Sequence, residues 1–469
     1  MKEIFVEKRN DILFPPSGAA FLENCRRLQE ELRHMFGQGP ESCELGAKIA
    51  AEIAIDLRSY LVQWKLAAYI KGGSLTQAEI DDQADLFLNL ARSHGTKELA
   101  AAAEKEIAAI EHSSVKRMCE LTLAGELNTV WGHDYASGLT HSLRRGARWV
   151  TSNPCKVTAY KKDFPDQFKK IIKGIKKEFA NAPVEDLVSL LFMKICAVSA
   201  RELRPIFEAT NGEYGFVCVQ TNPFNIPHED SADKMVKQVE FWYEAFKKEL
   251  QTETPNVVFK LPAVETGIEA TKRLLEKSYR LCLTLNFTVT QHEIFAKLLN
   301  QGKHRNFVVL MGGLLDDKVT QELSELGIEN AKSYGVHAAQ AVIRKSYANL
   351  HKKGYDKNVS IMTAAVRGPW AIANTLAPAH SAPTLITTLT NKINEFDALP
   401  LPLESNMDTP VDPQIMEVLQ KSKVFRQAYC LPEEGLLTWE NLFEFPPFIA
   451  FYDQFRDAYR ELTDGMDQM

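Results

Sequence analysis

Eight short apolar runs, separated by helical patterns, constrain the fold of this chain most strongly. They occupy residues 129–133, 149–152, 216–221, 257–261, 281–287, 307–311, 359–366 and 384–389. Most are continuously apolar, as expected for strands that are covered on both faces. Strands that alternate with helices indicate parallel βαβ units, and eight such units predict a closed (β/α)8 TIM barrel of the α/β class.

An open, doubly wound sheet is the alternative architecture. Such sheets usually carry a glycine-rich phosphate turn after their first strand. The first run here leads through Trp131-Gly132-His133-Asp134, which is not such a turn. The barrel is therefore the favoured prediction, and its chemistry is expected at the C-terminal ends of the strands.

Three regions follow from this pattern. Residues 1–125 carry apolar residues at helical spacing in the stretches 19–36, 45–70, 76–93 and 97–123, which predicts an additional N-terminal all-α domain of unknown role. Residues 126–395 form the predicted barrel. Residues 396–469 are predicted to contain a linker and helices, near 413–425 and 446–463, that pack on or cover the barrel.

Composition excludes several classes of protein. The net charge of −6 argues against a nucleic-acid or membrane partner. None of the eight cysteines has a metal-ligand spacing, so reduced thiols and no metal site are expected. The N-terminal residues show no signal segment, and no run reaches the ~20 apolar residues of a membrane span. We expect a cytoplasmic protein, and homo-oligomerisation stays open.

Polar side chains occur at or just after the ends of several of the eight runs. Because the ends of parallel strands meet at one mouth of a barrel, we expect these side chains to converge there. Together they suit a carbonyl substrate with an anionic group. The candidates are Asp134, Asn153, Gln220, Lys260, Thr284 and Arg367, with Thr151 and Asn286 as expected substrate ligands.

Lys260 is the most informative of these residues, because its neighbours in the sequence are almost all apolar. Burial in a barrel favours the uncharged amine of a lysine, which is the form that attacks a ketone and forms an imine. An aldol cleavage also needs a base, and Asp134 is the candidate, directly or through water. The residues alone leave open that Lys260 is a solvated strand flank.

Four segments resemble those of the transaldolase family, in the family's order and approximate spacing. Residues 147–154 (Ala-Arg-Trp-Val-Thr-Ser-Asn-Pro) resemble its Thr-Thr-Asn-Pro signature. Residues 258–268 (Val-Phe-Lys-Leu-Pro-Ala-Val-Glu-Thr-Gly-Ile) resemble its lysine motif. Residues 283–288 (Leu-Thr-Leu-Asn-Phe-Thr) and 363–367 (Thr-Ala-Ala-Val-Arg) are similar to its Asn-Leu-Thr-Leu-Leu-Phe-Ser and Ala-Ser-Phe-Arg segments. The resemblance covers roughly residues 127–395.

The resemblance implies a role for each matching residue. Lys260 corresponds to the Schiff-base lysine and Asp134 to the carboxylate that donates and accepts protons. Asn153 corresponds to the asparagine that binds substrate hydroxyls, and Thr284 to the threonine that helps to hold the catalytic water. Arg367 corresponds to an arginine that binds the sugar phosphate. Because the imine on Lys260 is the electron sink, no cofactor is expected.

The chain also departs from the family. Gln220 stands where the strand-three motif Ser-Thr-Glu-Val-Asp has its glutamate, and an amide can hold a water but cannot accept its proton. Related fructose-6-phosphate aldolases carry glutamine there, which shifts weight toward simple aldol cleavage. In strand six, Val308 replaces the substrate serine and Gly313 a phosphate arginine. The lost guanidinium predicts an acceptor that lacks a phosphate or carries another anionic group, such as a sulfonate, unless Lys303, Arg305 or Lys318 compensates.

These observations predict a transaldolase-like enzyme of carbohydrate metabolism, as in the pentose phosphate pathway. It would cleave a ketose, such as a sugar phosphate or similar anionic sugar, and transfer a three-carbon ketol unit through Lys260. One alternative is an aldolase that releases the three-carbon ketone. The other is a catalytically inactive barrel that binds a sugar or a partner.

Overall fold

The computed structural model describes residues 2–59, 63–135, 138–226, 229–399, 401–431 and 438–468. The N-terminal region of this part of the chain is all-helical, as predicted. Its helices are α1 (Lys2–Leu13), α2 (Gly18–Phe36), α3 (Pro40–Leu57), α4 (Gln63–Lys71), α5 (Gln77–His94), α6 (Lys97–Glu111) and α7 (Ser114–Ala124).

Local capping explains where several of these helices begin. Thr76 and Glu79 form a capping box at the start of α5, and Thr96 caps α6 through its side chain. The stretch 97–123 is two helices rather than one. The Ser113 hydroxyl accepts from the backbone N–H of Lys116 at 3.1 Å, and this cap starts the second helix. The predicted helix at 45–70 is likewise divided into α3 and α4, and its residues 60–62 lie outside the described part of the chain.

Eight parallel strands follow and close into a barrel in sequential order, with β1 paired to β8, which confirms the predicted fold class. The strands are β1 (Thr129–His133), β2 (Trp149–Thr151), β3 (Phe216–Gln220), β4 (Val257–Pro262), β5 (Leu281–Thr284), β6 (Asn306–Met311), β7 (Val359–Ala364) and β8 (Thr384–Thr388). Every residue of these strands is buried, as expected for a parallel barrel surrounded by helices.

Two strands, β5 and β7, end two or more residues earlier than their apolar pattern predicts. Leu285 and Ala365, directly after β5 and β7, have φ angles of 55° and 58°. These left-handed conformations are costly for residues with a Cβ atom and stop the pleated strand geometry. Both predicted runs continue past these residues in the sequence, so the backbone turn is invisible to the hydrophobic pattern.

Helices connect the strands and extend the chain beyond them. Between the strands lie α8 (Leu139–Arg144), α9 (Pro154–Asp163), α10 (Pro165–Glu178), α11 (Val184–Ala209), α12 (Ser231–Leu250), α13 (Glu265–Glu276), α14 (Val289–Leu299), α15 (Gly312–Glu325), α16 (Ala331–Gly335), α17 (Ala338–Lys353) and α18 (Pro369–Ala373). A short 3-10 turn occupies Pro223–Asn225. After β8 come α19 (Thr390–Asp397), α20 (Pro413–Leu419), α21 (Lys423–Tyr429), α22 (Trp439–Leu442) and α23 (Pro446–Gln468).

Aromatic side chains fill the N-terminal end of the barrel. Trp149 and Phe216 begin β2 and β3 and stack with ring centroids 6.1 Å apart, and Phe307 of β6 lies 5.1 Å from Phe216. A Cβ atom at Gly132 of β1 would lie 2.2 Å from the Trp149 indole, so this position has room only for glycine. The packed layer leaves the C-terminal ends of the strands as the place for a cavity.

The chain forms two compact units. One unit contains Met1–Leu121 together with Thr140–Ala147 and Arg204–Gly215, which come from connections between strands. The other contains Thr122–Leu139, Arg148–Leu203 and Phe216–Met469. No helix in the described ranges combines the length and the apolar character needed to cross a membrane.

Candidate active site

A cavity of about 210 Å³ lies at the C-terminal ends of the barrel strands. Residues at or near the ends of β1, β2, β4, β6, β7 and β8 line it, and side chains of the C-terminal helix α23 contribute to its wall. Of the eight residues proposed from the sequence, five line this cavity. They are Asp134, Thr151, Asn153, Lys260 and Arg367.

Lys260 lies on β4, between Gln220 of β3 and Cys282 of β5 in the strand register. It is only 4% exposed, and its Nζ donates to the backbone carbonyl of Ser152 at 3.3 Å. In the described part of the chain no carboxylate forms an ion pair with it. A secluded primary amine without an ion-pair partner, facing a cavity, is a candidate nucleophile for a carbonyl substrate.

Buried cysteine thiols lie near the Lys260 side chain. Burial raises the pKa of Cys196 to about 12, and burial together with the neighbouring Cys282 raises the pKa of Cys218 well above its ordinary value. These thiols therefore stay protonated at neutral pH and place no negative charge beside Lys260.

Asp134 directly follows β1, and its carboxylate is held by two neighbours. The Thr151 hydroxyl donates to Oδ1 at 2.6 Å, and Lys156 Nζ lies 3.5 Å from Oδ2. The Thr387 hydroxyl lies 2.7 Å from that of Thr151 and can donate to it in turn. A carboxylate fixed in this way, in the same cavity as Lys260, is suited to accept and return a proton.

Asn153 is the N-cap residue of helix α9, and the carbonyl oxygen of its side-chain amide caps the helix. Its Oδ1 accepts from the backbone N–H of Lys156 at 3.1 Å, and Pro154 occupies the first helical turn. Because the carbonyl half of the amide is engaged, the Nδ2 group is the half available to donate to a ligand in the cavity.

Arg367 lies beyond the end of β7, and its guanidinium is already paired. Nε and Nη2 donate to Asp317 Oδ2 at 3.0 and 2.9 Å, and Nη1 donates to the Ala365 carbonyl at 3.3 Å. The guanidinium lies over Gly313, which stands where the transaldolase motif has a phosphate-binding arginine. A Cβ atom at Gly313 would lie only 3.0 Å from the guanidinium carbon.

The structure does not bring the other three proposed residues to the cavity: none of Gln220, Thr284 and Asn286 is among the described residues that line it. Thr284 donates its hydroxyl to the sulfur of Met311 at 3.6 Å, and it is Met311 that faces the cavity. Gln220 and Asn286 are buried, with the Oε1 of Gln220 and both amide atoms of Asn286 lacking a hydrogen-bond partner in the described structure. Their proposed roles stay predictions.

Several lining residues were missed by reasoning from the sequence. Thr387 and Thr388 end β8, so the rule that strand ends carry function would have found them. Lys156 lies in the first turn of α9, two residues after the Asn-Pro pair. Phe451, Gln454 and Phe455 belong to α23; a helix that packs on or covers the barrel was expected here, but these residues were not proposed as part of the site.

The side chains that line the cavity determine which chemical groups it offers to a ligand. Among the described residues no cluster of histidine, cysteine or acidic side chains is arranged to hold a metal ion. The polar groups that face the cavity are an amine, a carboxylate, hydroxyls, an amide and a guanidinium. This set can form an imine, move a proton and bind hydroxyl groups.

Comparison with known proteins agrees with this geometry. No curated protein matches the chain. A family model described as transaldolase/fructose-6-phosphate aldolase matches residues 140–427, more than half of the chain. The match contains Lys260, Asn153 and Arg367, while Asp134 lies just before it and α23 after it. The chain belongs to the transaldolase/fructose-6-phosphate aldolase family.

Proposed function

We propose that this aldolase-type enzyme cleaves a ketose through an imine on Lys260 and transfers the resulting three-carbon unit to an acceptor aldehyde. The observation that carries the proposal is the presence of the Lys260 amine and the Asp134 carboxylate in one cavity of about 210 Å³. Both groups come from strand ends of a closed barrel, so the scaffold fixes their separation.

The reaction begins when the neutral Lys260 amine attacks the C2 carbonyl of the ketose and water leaves. Asp134 then accepts the proton of the C4 hydroxyl as the C3–C4 bond breaks. The electrons of the C3–C4 bond move into the protonated imine. An aldehyde departs and a three-carbon enamine stays on Lys260. In transfer, the enamine attacks an acceptor aldehyde, and the oxygen of that aldehyde takes the proton back from Asp134. Hydrolysis of the new imine then frees the lysine.

Release of the three-carbon ketone is the second candidate outcome. It requires protonation of the enamine at C3 and hydrolysis of the imine without an acceptor. Phe451 and Phe455 contribute apolar side chains to the cavity wall, and a wall that limits the access of water to the enamine would favour transfer. The presence of Gln220 where transaldolases have a glutamate favours release. Formation of free dihydroxyacetone without an acceptor aldehyde, measured against turnover with one, separates the two outcomes.

Borohydride trapping tests the imine directly. The protein is incubated with fructose or fructose 6-phosphate, reduced with borohydride, digested and analysed by mass spectrometry. We expect a reduced adduct on Lys260 that is absent from Lys260→Met. Lys156→Met serves as the matched control, because Lys156 lines the same cavity, and it should still form the adduct. Lack of an adduct at Lys260, under conditions that trap a characterised transaldolase, would refute the proposal.

A further inference from the structure

The Arg367 guanidinium stands at the boundary between two spaces. On one side it lines the cavity above Lys260, and on the other it lines a surface groove of about 700 Å³. Asp317, Thr320, Gln321 and Trp370 also line the groove. A ketose bound to Lys260 that extends past the end of β7 therefore meets Arg367 and Asp317 together.

Three of the five N–H groups of Arg367 are engaged within the protein. Two of its nitrogens donate to Asp317 Oδ2, and the third donates to the Ala365 carbonyl. The pair is partly exposed, at 40% for Arg367 and 51% for Asp317, so solvent and ligands can reach it. The pairing offsets the positive charge of the guanidinium at the place where a sugar phosphate would need it.

Position 313 cannot carry a second arginine while the backbone keeps its present course. A Cβ atom at Gly313 would lie 2.0 Å from the Ala365 carbonyl oxygen and 2.8 Å from Arg367 Cγ. Among the described residues that line the cavity, Lys156 is the other cation apart from Lys260, and it is paired with Asp134. Each of these two cations thus already faces a carboxylate, and a dianionic phosphate beside Arg367 would also face the charge of Asp317.

We propose that Asp317 makes the site selective for ketoses whose far end carries hydroxyl groups rather than a phosphate. This inference rests on the proposed function of Lys260. A hydroxyl group can donate to the free Oδ1 of Asp317 and accept from the remaining guanidinium N–H groups, so it fits the pair as it stands. A phosphate at the same place competes with Asp317 for the guanidinium and is repelled by its charge. Asp317 would thus determine specificity in two ways, by accepting from a substrate hydroxyl and by occupying part of the Arg367 guanidinium.

The test compares fructose with fructose 6-phosphate, two sugars that differ only in the phosphate. For each protein, the adduct on Lys260 is quantified after borohydride reduction at increasing sugar concentration, and kcat and KM are measured in turnover. The variants are Asp317→Asn, which keeps the shape but removes the charge, and Asp317→Glu, which keeps the charge. Asp233→Asn is the matched control, because it breaks another exposed Asp–Arg pair, with Arg273, that lies outside the cavity and the groove.

We expect wild type to prefer fructose. In Asp317→Asn, the ratio of kcat/KM for fructose 6-phosphate to that for fructose should rise about tenfold, mainly through a lower KM for the phosphorylated sugar. Asp317→Glu should keep the wild-type preference, and Asp233→Asn should leave the ratio unchanged. A wild-type preference for the phosphorylated sugar, or an unchanged ratio in Asp317→Asn while the Lys260 adduct still forms, overturns the inference alone. Absence of the adduct with both sugars in wild type overturns the proposed function as well.

Discussion

At the scale of single residues, the orientation of the Asp134 carboxylate depends on a short chain of hydroxyl groups. Thr151 donates to Asp134 at 2.6 Å, and the hydroxyl of Thr387 lies 2.7 Å behind it. The sequence indicated Thr151 as a substrate ligand, but its hydroxyl proton already points to Asp134. We infer that Thr151 positions the base rather than the sugar.

Replacing Thr151 with valine tests this role, because valine keeps the shape of the side chain and removes the hydroxyl. We expect kcat to fall about 10- to 100-fold with a smaller change in KM, since a misplaced general base slows the bond-breaking step more than binding. The Lys260 adduct should still form. Thr151→Ser should recover most of kcat, and wild-type kcat in Thr151→Val would show that the hydroxyl does not matter for Asp134.

Residues at strand ends were predictable because the order of strands in a barrel brings their ends to one mouth. This reasoning found Lys260, Asp134 and Arg367 from the sequence alone. It could not determine what lies between a strand-end residue and the cavity. Thr284 lies at the C-terminal end of its strand, as expected, but Met311 of the next strand faces the cavity in its place. The partner of Arg367 was also hidden, because Asp317 is 50 residues away in the chain.

At the scale of elements, the strands were predictable to within a few residues because their apolar runs are buried on both faces. The errors fell at β5 and β7, where Leu285 and Ala365 adopt left-handed backbone conformations. Both turns occur at the site end of the barrel, and Ala365 lines the cavity and accepts from Arg367. The strain there helps to direct the chain around the cavity, which is a tertiary effect that side-chain polarity does not encode.

Helix α23 covers the cavity from outside the region that the family model matches. Its Phe451 lines the cavity and stacks against Phe287, with ring centroids 6.2 Å apart. The Phe455 ring is tilted against Phe451, with centroids 5.6 Å apart. Cys155 and Thr158 of α9 donate to backbone carbonyls of α23, which ties this helix to the start of the Asn153-capped helix. The cover therefore packs against the same element that presents Asn153.

Phe451→Ala should open this cover without displacing Lys260. We expect KM for the ketose to rise about tenfold, and a larger share of the enamine to be released as free three-carbon ketone, because water reaches the cavity more easily. Phe443→Ala is the control: Phe443 is also aromatic and close to α23, but it is 43% exposed and does not line the cavity. An unchanged partition between transfer and release in Phe451→Ala would mean that α23 does not exclude water.

At the scale of the whole molecule, the alternation of eight strands and helices was enough to predict the barrel. The division of the chain into compact units was not readable in the same way. The helical unit also takes residues from two barrel connections, Thr140–Ala147 and Arg204–Gly215. Such membership depends on contacts between residues far apart in the sequence, and periodicity within a window of the sequence does not report them.

One buried ion pair shows how a connection segment is held in the helical unit. Arg144, at the end of α8, donates to Asp56 of α3 at 2.6 Å and to Glu52 at 2.5 Å. The exposed fractions of the Arg144 and Asp56 side chains are 7% and 0%. Burial alone would lower the pKa of Arg144, but the carboxylates of Asp56 and Glu52 outweigh it and raise that pKa.

Asp56→Asn should therefore destabilise the protein, because it leaves a buried guanidinium with only the half-exposed Glu52 as its counter-ion. We expect a loss of about 3 kcal/mol in the free energy of unfolding, the size typical of breaking one side of a buried pair. Thermal and denaturant unfolding followed by circular dichroism would measure it. The control is Glu44→Gln, which breaks the exposed pair with Lys48 on the same helix and should barely change the midpoint. Equal stability of the two variants would show that Arg144 can reach other partners or water, and that this pair does not hold the connection segment in place.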